Sequence, residues 1–220
     1  MGFLPIYVYF IFFSLLTSLL VYYSSKPIDN YLKLIPPFLL ITLLVEILGS
    51  YLWSIKKNNL TLYNFFSIFE FCFYLWIVSL IIQKKRVKKT IRIIIILYSI
   101  SAIVNILFIQ GMKTFHTVTY SLGCLLVVIF CIYYFLELFR RPKSEKLYLN
   151  PAFWICTALL FFYCCGFPLY ALLIYWDEKI PKLILNNLEN IFSILNIVLY
   201  TLFIIAFLCL RTRKYISSPS

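Results

Sequence analysis

The chain has 220 residues, of which 63% are hydrophobic and 20% aromatic. Charged residues make up only 13%, against roughly 25% in soluble domains, and no soluble fold of this size hides so much apolar surface. A soluble enzyme, a disordered chain and a disulfide scaffold are excluded. The net charge of +12 comes from basic residues set between apolar runs, where membrane topology puts them, and does not point to nucleic acid.

Seven stretches reach the roughly 20 apolar residues that a membrane span needs: 3–23, 34–55, 62–83, 91–110, 115–139, 151–176 and 184–210. The first has no basic residue ahead of it and no small-residue cleavage site, so it reads as a retained helix and not a signal peptide. The second opens on Pro36-Pro37, expected in its first turn, and carries Glu46. The third contains Asn64, Ser67, Glu70 and Tyr74. The fourth follows a basic run from Lys84 to Arg92, and the fifth runs from beside His116 to Glu137, an interfacial charge next to Arg140. The sixth opens on Pro151, and the seventh carries Glu189, Asn190, Ser193, Asn196 and Tyr200.

Residues 211–220 follow as a short cytoplasmic tail, and connections are too short for a soluble domain. The expected architecture is all-α: 1–220 forms one transmembrane domain, a seven-helix bundle. The seven cysteines all fall in apolar segments without metal or redox spacing and read as small hydrophobes.

The connections set the expected orientation. One side holds fifteen basic residues, the clusters around Lys26, Lys84–Arg92, Arg140–Lys146 and Arg211–Lys214. The other holds five: Lys56, Lys57, Lys113, Lys179 and Lys182. The positive-inside rule then puts the N-terminus outside and the C-terminus inside.

Spans three and seven share a pattern. Asn64, Phe66, Ser67, Ile68 and Tyr74 match Asn190, Phe192, Ser193, Ile194 and Tyr200 at a constant offset, with Glu70 opposite Asn196. Spans two and six share Pro-x-Phe-x-x-x-Thr-x-Leu, starting at Pro36 and at Pro151. The expectation is a parallel three-plus-one-plus-three repeat with span four as linker. That layout occurs in small sugar and vitamin transporters and has been described for seven-helix photoreceptors, so it does not choose a function.

An ionisable residue within a span costs roughly 2.5–3.5 kcal/mol at mid-helix, and its default reading is functional. Glu46, Glu70 and Glu189 lie roughly 13, 12 and 8 Å from the outer ends of their spans at about 1.5 Å per residue. Helical phase puts Glu46 on one stripe of span two with Thr42, Gly49 and Trp53, and Glu70 on one stripe of span three with Asn64. Spans two, three and seven are therefore expected to enclose an outward-opening polar pocket, with Glu46, Asn64, Glu70, Glu189, Asn190 and Asn196 as ligand-binding residues. No Lys or Arg lies inside these spans, which predicts a proton shared between Glu46 and Glu70. Interhelical hydrogen bonding alone is the alternative for Ser67, Ser193 and Asn196. The inner halves of the spans carry few polar groups, so no polar path leads on to the cytoplasm.

No catalytic, metal or cofactor signature is present, and no retinal-binding lysine lies in span seven. The lone His116 reads as an interfacial residue and not as a metal ligand. Tyr63-Asn64 followed by Glu70, with Glu46 before it and Pro151-x-Phe153-Trp154 opening span six, resembles a set of uncharacterised bacterial seven-span proteins of about this length. The resemblance implies an integral membrane protein and carries no activity with it. Members of that set often carry an acidic residue in span five, near the position of Gly123 here.

The pocket above a dry inner half points first to a ligand-binding, receptor-like sensor. Its expected partners are lipid, a small-molecule ligand and a membrane or cytoplasmic signalling protein, and its expected location is the bacterial inner membrane. A small-solute transporter is the first alternative, and an intramembrane enzyme with paired glutamates is the second.

Overall fold

In lipid, every backbone amide must find its partner within the protein, so long apolar runs become helices. The computed structural model describes residues 4–24, 28–140, 147–175 and 182–217, with side chains except those of 172–175, 182–186 and 211–217. Among these, seven helices are long and apolar enough to cross a membrane. They are α1 (Ile6–Ser24), α2 (Asn30–Ser54), α3 (Leu60–Ile81), α4 (Lys85–Val104), α5 (Thr117–Phe139), α6 (Pro151–Tyr175) and α7 (Lys182–Ser217). A π-helical turn, Asn105–Ile109, continues α4, and a short 3-10 turn, Leu147–Leu149, precedes α6. The protein is an all-helical, multi-pass membrane protein. Lys26, Arg141, Lys143, Lys146 and Lys179, which contribute to the charge asymmetry, lie outside the described residues.

Several helix ends differ from the sequence expectation. α2 begins at Asn30, so Pro36 and Pro37 lie inside it and not in its first turn. The two missing amides take donors only from the carbonyls four residues back, at Leu32 and Lys33, and these still belong to the opening turns. α4 begins at Lys85, because the long stems of its basic residues can lie along the helix while their charges reach water. Arg92 does this over the Trp76 ring, 5.4 Å from its centroid. α7 continues as helix through Ser217, taking in most of the segment expected as a tail.

Six helices close a ring in the order α1, α2, α3, α5, α6, α7, with α7 packed back on α1. α4 stands outside it, against α3 and α5. Glu137 of α5 fastens the α3–α4 turn by accepting hydrogen bonds from the Gln83 and Lys84 amides at 2.9 and 3.0 Å. Leu44, Leu97 and Ile129 are among the large side chains on the outer surface, the pattern of a bundle whose solvent is lipid.

The inside of the ring is aromatic at its middle. Phe71, Tyr74, Tyr163 and Phe203 are fully buried, with ring centroids 5.2 Å apart for Phe71–Tyr163 and 5.9 Å for Tyr74–Tyr163. Phe38 stacks on Phe73 at 3.9 Å. Beyond this plug, Val127, Cys131, Cys156, Leu159 and Phe207 fill the half that leads to the α3–α4 turn, and Cys131 and Cys156 are free thiols packed as apolar groups.

Candidate functional site

Above the aromatic plug, the ring opens into a cavity of about 860 Å³. It lies at the end of the bundle that carries the α2–α3 turn. All six ring helices line it: Tyr7 of α1, Glu46 of α2, Glu70 of α3, Tyr120 of α5, Tyr170 of α6 and Asn196 of α7 are examples. α4 contributes nothing to its wall.

Glu46 is held from two sides. Tyr7 and Tyr63 donate hydrogen bonds to the same carboxylate oxygen, Oε2, at 2.9 and 3.1 Å. Tyr63 reaches that oxygen by crossing α2 at Gly49, where a Cβ would stand only 2.7 Å from the phenol carbon Cζ. The glycine is required there for close approach, since α2 is regular helix at that point. Tyr63, Ser67, Glu70 and Tyr74 follow one another at intervals of four, three and four, which is one face of α3. Glu70 therefore points the same way as Tyr63, deeper in the cavity. Around it lie the buried hydroxyls of Tyr74 and Tyr163, near its carboxyl. No hydrogen bond joins Glu46 to Glu70, so the shared proton expected between them is not formed as a direct contact.

The remaining expected residues divide. Glu189 and Asn190 lie exposed at the mouth, and Asn196 lines the wall while its amide donates to the Phe192 carbonyl of its own helix at 2.9 Å. These three and both deep glutamates share one cavity. Asn64 does not join them. Its amide donates to the Thr114 carbonyl at 2.8 Å, and its Oδ1 accepts from the His116 amide at 3.3 Å.

Asn64 thus belongs to a buried polar knot beside the cavity. His116, at the start of α5, is fully buried, with Nε2 2.6 Å from Ser67 Oγ and Nδ1 2.7 Å from Thr119 Oγ1. Ser67 also lies 3.1 Å from the Asn64 carbonyl, to which it donates. It then accepts from His116 Nε2–H, and the Thr119 hydroxyl serves Nδ1, which is one complete assignment for a neutral imidazole. Burial pushes the imidazole down to about 4, against a smaller opposing effect from the Asn64 contact. Asn105 closes the knot from the π turn, donating to Gln110 Oε1 at 2.6 Å and to Thr119 Oγ1 at 3.1 Å. A π turn rotates the end of a helix out of its ordinary phase, and here it presents Asn105 to α5.

The far wall of the cavity is an aromatic surface that the charge pattern does not reveal. Phe115, Tyr120, Tyr170 and Phe192 all line it. Tyr120 and Tyr170 have centroids 4.1 Å apart, Tyr170 and Phe192 4.8 Å, and Phe115 and Tyr120 5.2 Å. The arrangement can bind a small molecule by one end through carboxylates and by its body through ring faces. Comparison with known proteins brings no family model, curated protein or solved structure that matches the chain.

Proposed function

We propose that this chain is a receptor-like membrane protein that binds a small ligand inside its helix ring. The carrying observation is a cavity that has buried aromatic side chains, Tyr120, Phe162 and Tyr200, among its lining, with the fully buried cluster of Phe71, Tyr74, Tyr163 and Phe203 packed beyond them. Its volume of about 860 Å³ falls in the range of small-molecule sites, roughly 300–1,000 Å³. The basic asymmetry of the connections supports a mouth on the outer face and a C-terminus in the cytoplasm. The Tyr63-Asn64…Glu70 resemblance supports a place among the bacterial seven-span proteins, and so in the bacterial inner membrane.

A small-solute transporter is the second reading, and the repeat favours it. The contacts α3–α5 and α7–α1 correspond to each other when spans one to three are matched to five to seven. The repeat-matched pairs Phe66 and Phe192, Ser67 and Ser193, and Glu70 and Asn196 line the one cavity, whereas Asn190 and Tyr200 line it without their matches Asn64 and Tyr74. The intramembrane-enzyme reading draws no such support, because Glu46 is engaged by two tyrosine hydroxyls and forms no direct pair with Glu70.

Side-specific labelling separates the first two readings without knowledge of the ligand. Asn196→Cys is placed in full-length protein whose native cysteines are replaced, and treated with a membrane-impermeant maleimide. A receptor with a permanent floor is labelled from the outer face only. Labelling from both faces overturns the receptor reading and identifies alternating access.

A further inference from the structure

The cavity reverses the charge of the molecule. The chain has 20 Lys and Arg against 8 Asp and Glu, yet Glu46, Glu70 and Glu189 line the cavity with no Lys, Arg or His among its described lining residues. An anionic ligand would find no counter-charge there. The two deep carboxylates are also unequal. Glu46 has one oxygen fixed by Tyr7 and Tyr63. Glu70 lies deeper, with the buried hydroxyls of Tyr74 and Tyr163 close to its carboxyl. A half-buried carboxylate that lines the cavity can still turn acceptor capacity toward whatever fills the space.

The second, independent observation is the aromatic wall. Phe115, Tyr120, Tyr170 and Phe192 line the same space and pack against one another. Aromatic faces attract cations and accept apolar carbon equally well.

Resting on the receptor reading, we propose that the ligand is a small organic cation. Its N–H-bearing ammonium group hydrogen-bonds to Glu70, with Glu46 completing the negative end of the site, and its carbon body lies on the wall formed by Phe115, Tyr120, Tyr170 and Phe192.

Three probes share one body and differ in charge: 2-phenylethylamine, 2-phenylethanol and phenylacetate. Binding to purified full-length protein in detergent is followed by thermal protection. The amine is expected to protect at about tenfold lower concentration than the alcohol, the scale of one charge-assisted hydrogen bond, and phenylacetate is expected to give none. Glu70→Gln is expected to bring the amine to the level of the alcohol. If the alcohol matches the amine on the unmodified protein, or phenylacetate protects better, the cationic class is overturned while a binding cavity stands. Absence of protection by the amine also overturns the proposal. The receptor reading itself falls only if Asn196→Cys is labelled from both faces. The comparison on the unmodified protein needs no variant to fold.

Discussion

Tyr7 and Tyr63 carry no charge and no motif, yet they decide how Glu46 is held. The three glutamates are legible in the sequence because an ionisable side chain stands out in an apolar run. The tyrosines are not, because an amphipathic ring in a span reads as lipid-facing as readily as inward. Tyr63 had a readable signal, its spacing on one face with Ser67 and Glu70. Asn64 and His116 show the opposite failure. Their polarity was legible but their pairing was not, because His116 and Thr114 lie in the 110–116 connection, whose path follows from the π turn and not from periodicity. His116 gives an expectation at this scale. Its imidazole is held neutral, down to about 4 from an ordinary 6.5, so the unfolded chain takes up a proton first as the pH falls. The stability it contributes is complete above pH 6.5 and is lost as pH falls from 6.5 towards 4. Melting temperature should therefore drop more steeply through that window in the unmodified protein than in His116→Gln. Parallel slopes would remove His116 from the account.

At the level of helices, the existence of all seven follows from apolar length alone, and their ends do not. The starts of α2 and α4 and the end of α7 involve polar or basic turns in which helical propensity and interfacial snorkelling outweigh hydropathy. Packing between helices was less legible still. α3 and α5 meet where Gly123 leaves room for Phe71, and a Cβ at that position would lie 2.7 Å from the Phe71 ring. Any larger side chain there would require Phe71 to move. Gly123→Ala is expected to destabilise by about 1–3 kcal/mol, the usual range for overpacking a tight core, read as a lower melting temperature in detergent. Adding Phe71→Leu should recover part of that loss. Strict additivity of the two changes would show that the contact does not limit the approach of the helices.

For the whole molecule, the sequence pointed to helices two, three and seven around a polar space, and the structure adds α1, α5 and α6 to the same wall. What periodicity could not supply was ring order, since every span is apolar on several faces and no single stripe names its neighbour. The proposed orientation has a direct check. A topology reporter inserted at Asn58 should behave as external, and one fused after Tyr215 as cytoplasmic. The reverse pattern would place the mouth of the cavity on the cytoplasmic side.

The pairing of the first helix with the last has a consequence for biosynthesis. The chain enters the membrane from its N-terminus, so α1 is present throughout the insertion of the others and has no α7 to close against until the end. Its buried Ser14 and Ser18 must meanwhile face lipid or a temporary partner. The binding space does not exist in any shorter nascent chain: it is completed only when α7 arrives and supplies its final wall. Truncation before α7 therefore leaves an open arc of helices with a polar inner seam, a substrate for membrane quality control and not a weakened form of the folded protein.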